Sequence, residues 1–354
     1  MSAVLQSEVI QVTDDPEALL ALSLEQKWGD GAPLIPPTEK RVAAMLEGTP
    51  RLSTDIVVDE VPPKHGMATV ELIAINAVMA GCQPKHLPLV IAALEAMSNS
   101  PYNGFGLATT TGSAAPFLIV NGPLRDEMEI NYRAGCLGGA TGRGSVTVGR
   151  ALQLCLRNIG GMRAGESTRS VFGQPGRFGV CFGEWEERSD WPSLAMRRGF
   201  TREQEVVTVH GSMGTMALLD MNTANDRDLA YLLGKSIASP MGNLFMALRT
   251  HGEAVVLINP MWAQRLVKTF PKMESFQECL FENAWQPIDF WPVPNQAYFR
   301  ESGRVDSQDR VHAVTAPDRI QPIVCGGLGN LHSTILPSWG ESEMQSRETA
   351  RKKQ

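Results

Sequence analysis

Three stretches of this sequence carry residue types that do chemistry. In Pro62-Pro63-Lys64-His65-Gly66-Met67-Ala68-Thr69-Val70-Glu71, a histidine sits in a loop between prolines and a glycine, just ahead of a helix. A loop histidine has no packing role to fill and titrates near neutral pH, so His65 suits general acid–base or ligand duty. Glu71 falls in the first turn of that helix, where a carboxylate either complements the dipole or shares the proton work. Cys82 closes the same helix. A helix C-terminus raises a thiol's pKa, so Cys82 reads as a buried, inert thiol, and as the working thiol if one takes part.

The second stretch is Cys136-Leu-Gly-Gly-Ala-Thr-Gly-Arg-Gly-Ser145, which runs straight into a helix predicted over 146–158. Backbone N–H groups of a glycine-rich turn joined to a helix N-terminus can hold an anion. Gly139, Gly142, Gly144 and Ser145 would supply them, and Arg143, with Arg150, would add charge. The same stretch reads equally as a tight connection past a neighbouring backbone. Asn121, which ends a buried strand at Asn121-Gly-Pro123, joins the substrate-binding set. The pattern is neither GxGxxG nor a Walker A loop, so no cofactor is assigned.

The third group lies at strand ends. Cys181 and Cys325 stand where a strand runs out, and Cys325 is followed by two glycines that permit close backbone approach. The end of a parallel strand is where α/β enzymes place site residues. His332 follows the last glycine-rich turn and is the best partner for His65 or a cysteine. His210 and His251 also lie near strand ends. The acidic run Glu184 to Trp191 reads as a solvated turn, because burying four acids in eight residues is costly. No CxxC or HExxH spacing occurs, so no metal ligands are assigned.

The elements that must position these residues follow from periodicity. Asp15-Pro16 opens a helix through Leu24, and Thr38-Glu39 opens another through Leu46. Apolar residues at three- and four-residue spacing predict a helix from Thr69 to Gly81, and residues 87–97 a second, making an αα-hairpin. A faint repeat follows. Residues 105–112, then 117–123, then a helix-like stretch are echoed by 244–252, 255–260 and a helix from Met261, each read as strand, glycine, buried strand, Asn-(Gly)-Pro, helix. A buried strand feeding a helix is the unit of a parallel α/β sheet. The expected fold is α/β, two related lobes with mostly parallel sheets and an internal duplication. Residues 1–27 form an N-terminal extension, 28–165 and 166–340 the lobes, and 341–354 a flexible tail.

Composition narrows the class. Of 354 residues, 43% are hydrophobic and 20% charged, which is ordinary globular usage, and the net charge of −6 with scattered basic residues lacks the footprint of nucleic-acid binding. No signal pattern and no apolar run of about 18 residues occurs. The six cysteines stand singly. Free thiols in a reducing cytoplasm, with no membrane partner, are expected. The Met- and Trp-bearing helices can cover a core or an interface, and a homo-oligomer is expected.

Asp30-Gly-Ala-Pro-Leu-Ile-Pro-Pro-Thr38, Ala68-Thr-Val-Glu71, Val78-Met-Ala-Gly-Cys82, Asn121-Gly-Pro123, Gly173-Gln-Pro-Gly176 and Gly326-Gly-Leu-Gly329 occur in that order. Across about residues 28–340 they resemble a poorly characterised bacterial family with a D-G-L-P-x-V-P-P-T opening. Its genes stand beside small UGSC-type proteins that bear cysteine or selenocysteine. This chain has Ala32 where the pattern has Leu, and no UGSC motif of its own. The resemblance implies thiol- or selenol-linked reductive chemistry with a small thiol- or selenol-bearing partner protein.

The expectation is an enzyme acting on a small polar or anionic substrate in a cleft between the lobes. It would cleave a carbon–heteroatom bond reductively or as a lyase, with His65, Glu71, Cys82 and His332 as catalytic residues. The alternatives are a non-catalytic or scaffolding subunit of a thiol- or selenol-dependent complex, and a metal-dependent hydrolase.

Overall fold

The computed structural model describes residues 6–138, 142–240, 242–246 and 252–351. The first elements are helices α1 (Pro16–Glu25) and α2 (Glu39–Leu46), the hairpin β1 (Ile56–Val61) and β2 (Gly66–Thr69), and helices α3 (Val70–Ala80), α4 (Leu87–Ser98) and α5 (Gly104–Thr109). Then come β3 (Ala115–Asn121), α6 (Arg143–Asn158), β4 (Val180–Gly183), α7 (Leu194–Arg197), β5 (Val206–Ser212) and β6 (Met216–Leu219). The next run is α8 (Asp226–Ile237), α9 (Asn243–Met246), β7 (Ala254–Ile258), α10 (Pro260–Thr269), α11 (Met273–Asn283), β8 (Trp285–Pro287) and α12 (Val293–Glu301). The last strands are β9 (Arg310–His312), β10 (Ile320–Val324), β11 (His332–Leu336) and β12 (Gln345–Glu348).

Local signals set many of these boundaries. Asp15 accepts from the Glu17 N–H at 3.1 Å with Pro16 in the first turn of α1. Thr69 caps α3 through the Leu72 N–H at 3.3 Å, and Gly81 ends it in the left-handed region at φ 92°. Both α3 and α4 are buried almost all round, as their apolar composition requires.

Two four-stranded mixed sheets form the centre. The first runs β12-β5-β3-β4 and the second β10-β7-β11-β6. In the first, β3 pairs parallel with β4 and antiparallel with β5, which pairs antiparallel with β12. In the second, β7 pairs parallel with β10 and antiparallel with β11, which pairs antiparallel with β6. The two sheets thus share one order and one pattern of strand senses. Their outer strands are exchanged: β6 follows β5 in the chain but joins the second sheet, and β12 follows β11 but joins the first.

Side chains on alternate faces of the strands define four layers. Leu118, Val120, Val207 and Val209 pack with α3, α4 and α6 on the outside of the first sheet. Val256, Ile258, Ile320 and Ile335 pack with α8, α10 and α11 outside the second. Between the sheets, Ala115, Phe117, Ile119 and Phe182 meet Val255, Leu257, Ile323 and Leu336 in one apolar seam. With both faces covered, β3, β5, β7 and β10 are buried along their whole length.

Several sequence expectations change here. The sheets are mixed rather than mostly parallel, with one parallel pair in each. The boundary at 165/166 does not separate them, since the first sheet takes β3 from before it and β4, β5 and β12 from after it. Residues 345–348, expected to be tail, are the edge strand beside β5. Residues 105–112, read as a strand, hold α5, because Asn103 in the left-handed region at φ 55° caps it through the Gly106 N–H at 3.2 Å. Their echo begins with α9, and its residues 247–251, His251 included, lie outside the described residues. The stretch after Asn121-Gly-Pro123 is a series of turns, and the next helix starts at Arg143.

Candidate functional site

The carboxy ends of the parallel strands of both sheets come together. Beyond β4, the Trp185 N–H donates to the Val324 carbonyl at the end of β10, at 2.6 Å. Beyond β10, Cys325 N–H donates to Ile258 at the end of β7, at 3.0 Å. The segment 131–138 lies across these ends: Gly183 N–H reaches the Asn131 carbonyl at 3.0 Å and Gly326 N–H the Tyr132 carbonyl at 2.9 Å. Gly326 holds φ 92°, a conformation that costs a glycine little and turns the chain at once after Cys325.

This arrangement sets Cys136 against Cys325 at one end of the apolar seam, both as free thiols and both buried. The Cys325 thiol, packed in the same cluster, is the largest influence on Cys136: its interaction outweighs burial and shifts Cys136 below the ordinary thiol range, helped by the N–H groups of Cys136, Gly326 and Leu137. Two of these donors are shared, that of Cys136 with the Arg133 carbonyl at 3.1 Å and that of Gly326 with Tyr132. Cys325 is held well above the range, because the neighbouring Cys136 sulfur favours the proton staying on Cys325 and because Cys325 is buried. The pair is split, with ionisation favoured at Cys136 over Cys325.

A buried polar cluster backs the pair. Asn121, the last residue of β3, donates from Nδ2 to Glu184 Oε2 at 2.8 Å and to Glu186 Oε1 at 3.1 Å. Gly122 N–H also reaches Glu186, at 2.8 Å, and Leu194 N–H reaches Glu184, at 2.7 Å. Arg125, equally buried, donates from Nε to the Gly122 carbonyl at 2.6 Å and pairs with Glu186 and Glu187. Burial holds the Glu184 carboxyl above the usual range, against the pull of Arg197 and its hydrogen bonds. Its charge reaches Cys325 and helps raise that thiol. The acidic run read as a solvated turn is therefore half interior: Glu184, Glu186 and Trp191 are buried and Glu187 is not. Apart from the Leu194 N–H, the residues that take up its hydrogen bonds come from β3 and the turn after it.

From the cluster a cation–aromatic ladder runs outward. The Arg125 and Arg133 guanidiniums lie over the Tyr132 ring at 4.8 and 4.9 Å. Trp185 meets Tyr132 edge-on at 5.7 Å, with Arg133 at 5.8 Å and Arg188 at 5.5 Å from its ring.

The residues expected to act together have different neighbours. His65 is exposed at the tip of the β1–β2 hairpin, with Nδ1 3.2 Å from Glu60 and its ring stacked on Phe105. Glu71 is buried and spent on structure, accepting from the N–H groups of Gln6 and Ser7 and from the Ser7 hydroxyl at 2.6 Å. Cys82 is buried beneath α6, and burial pushes its thiol up to about 12 despite a hydrogen bond with Thr147. His332 is exposed on β11 opposite Leu219, and its carbonyl receives Asn259. Only Cys82 and Arg143 share surroundings, since Arg143 Nε donates to the Gly81 carbonyl at 2.8 Å.

In the glycine-rich stretch, Gly139 lies outside the described residues. Gly142 and Gly144 press against the carbonyls of Glu129 and Met128, where a Cβ would sit at 2.5 and 2.0 Å. Ser145 Oγ accepts from the Asn131 N–H at 2.7 Å. These contacts describe the tight connection that was the other reading of this stretch. Arg150 grips Asp30 through two nitrogens at 2.7 and 2.8 Å. Asn121 alone of the expected set stands in the site.

Among the described residues, no group of three or more His, Cys, Asp and Glu side chains is placed to hold a metal ion, and no helix is long and apolar enough to cross a membrane. Cys136 is the residue that sequence reasoning passed over: it opens the glycine-rich stretch, whose glycines drew the assignment. The signal that pointed here was Cys325 at a strand end before two glycines. No known protein family, curated protein or solved structure matches this chain.

Proposed function

We propose that this chain is a thiol-dependent reductive enzyme in which Cys136 is the nucleophile and Cys325 the resolving thiol. The observation that carries the reading is the packing of two buried free thiols, Cys136 and Cys325, in one cluster at the strand ends, with the turn 131–138 bonded across those ends. The thiolate, not the thiol, is the nucleophile.

The reaction class is reductive cleavage of a bond between carbon and a soft heteroatom, sulfur or halogen. The Cys136 thiolate attacks the heteroatom X of a substrate R–X, the S–X bond forms and the C–X bond breaks. The electron pair leaves with carbon, which takes a proton to become R–H. Water supplies that proton. Cys325 then attacks the Cys136 sulfur, the disulfide closes, and X departs with the proton of Cys325 as H–X. The two thiols lose two electrons and the substrate gains them. Turnover requires an external thiol or selenol to reduce the disulfide, which is the place for the small partner protein implied by the family resemblance.

We read the two sheets as an internal duplication with exchanged outer strands. Each half contributes a central strand ending in asparagine, Asn121 or Asn259, a parallel partner, an antiparallel third strand, and a fourth strand given to the other sheet. The parallel partners are followed at once by Glu184 in one half and Cys325 in the other, so the buried carboxyl and the resolving thiol occupy related positions.

Mild oxidation with diamide followed by non-reducing peptide mapping tests the reading. A Cys136–Cys325 disulfide is expected, absent from Cys136→Ser and Cys325→Ser proteins. Recovery of both residues as free thiols while other cysteines cross-link would sink it.

A further inference from the structure

The ladder of rings and guanidiniums beside the cysteine pair ends outside in two exposed arginines, Arg133 and Arg188. Arg125, at the inner end, is neutralised by Glu186 and Glu187. Arg133 is exposed and shares its charge with Asp126 at 3.3 Å, an open ion pair of the kind worth little to stability and easily exchanged for another anion. Arg188 is exposed, lies over the outer ring, and has no carboxylate contact among those resolved. Trp185 is half-buried, with the Arg133 and Arg188 guanidiniums 5.8 and 5.5 Å from its ring.

The ladder is tied to the thiols by main-chain bonds. Trp185 N–H bonds the residue before Cys325, Gly326 N–H bonds Tyr132, and Cys136 N–H bonds the carbonyl of Arg133 itself. Whatever Arg133, Trp185 and Arg188 hold is therefore held next to the pair.

Resting on the reading of Cys136 as the nucleophile, we infer that Arg133, Trp185 and Arg188 form the substrate's anchoring site, and that the substrate is an organic anion with a flat or apolar body. A carboxylate or sulfonate replaces Asp126 on Arg133 and meets Arg188 from the other side. The body of the molecule lies against the indole, and the carbon–heteroatom bond is directed toward Cys136. Arginine suits this task because its planar fork both grips an oxyanion and stacks on a ring.

Two probe pairs of matched size and different charge test it. The first compares iodide with acrylamide as quenchers of the Trp185 emission, taken as the difference between the intact protein and Trp185→Phe. The second compares alkylation of Cys136 by iodoacetate and iodoacetamide, followed by peptide mapping. Both are repeated in Arg133→Gln/Arg188→Gln, whose exposed side chains leave the fold intact. The iodide preference at Trp185 and the iodoacetate to iodoacetamide rate ratio at Cys136 should each fall on the order of fivefold in the double variant, and shrink with added salt. Alkylation by both reagents with an unchanged ratio and unchanged quenching overturns the anchoring site and leaves the thiol reading standing. If iodide selectivity follows the arginines but Cys136 takes neither reagent, the anchoring site stands and the nucleophile is wrong.

Discussion

Cys325, just past β10, packs in one buried cluster with Cys136, which lies in the turn that crosses the strand ends. The two thiols shift in opposite directions, Cys136 down and Cys325 up, and each shift depends on the other.

Removing the donor should therefore undo the difference. Cys325→Ala should raise the midpoint of the pH profile for Cys136 alkylation by about one pH unit, while Cys325→Ser, whose hydroxyl still donates, should raise it less. A midpoint that ignores both substitutions would mean the sulfurs do not communicate.

Glu205 gives the fold a pH dependence of unusual sign. Burial pushes its carboxyl up to about 7, although the Leu124 N–H donates to it and Arg351 and Arg125 lie near. The native protein then binds a proton that the unfolded chain has released, so stability is complete below the ordinary carboxylate pKa and declines as pH rises toward 7. Glu205→Gln should gain on the order of 2 kcal/mol relative to the parent at pH 8 and nothing at pH 4, measured by urea unfolding.

Asp30 behaves in the opposite sense. Burial works against its charge, but the hydrogen bonds and charge of Arg150 outweigh it and hold the carboxyl below its usual range. Its contribution is present above the ordinary carboxylate pKa and fades as pH falls through the lowered value. Asp30→Ala leaves Arg150 with only the carbonyls of Ala32 and Pro33, and should cost about 3 kcal/mol at neutral pH in chemical denaturation.

Gly149 marks where α6 touches the chain entering β4. A Cβ there would lie 2.7 Å from the Val180 nitrogen and 2.8 Å from the Gly179 carbon, neither of which can step aside without moving β4. Gly149→Ala should destabilise by on the order of 2 kcal/mol, read as a lower thermal midpoint. A thermal midpoint equal to the parent's would show that helix and strand are less tightly apposed.

Much of the first half is legible in the sequence because its signals are local. Thr69, Gly81 and the spacing of Val70, Ile73, Ala74 and Ala77 mark α3 within a residue or two. Asn121 and Cys325 stand out because a polar residue or a glycine pair interrupts a buried run. What the sequence hides is partnership over distance. Nothing near Cys136 announces Cys325, and nothing near Glu184 and Glu186 announces that Asn121, Gly122 and Arg125 will take up their hydrogen bonds. An acidic run is then read as solvated. Strand sense is hidden for the same reason, since β5 is buried throughout like the parallel strands yet pairs antiparallel with β3.

The exchange of β6 and β12 bears on how the molecule is made. As the chain leaves the ribosome, β3, β4 and β5 are complete long before the strand that flanks β5 exists, and β6 is waiting for a β11 not yet synthesised. Until then β5 presents a bare row of amide and carbonyl groups, the kind of edge on which other chains assemble. Neither half can finish early and wait for the other. The exposed edge therefore persists until residues 332–348 have emerged, when both sheets close within the same short stretch of chain.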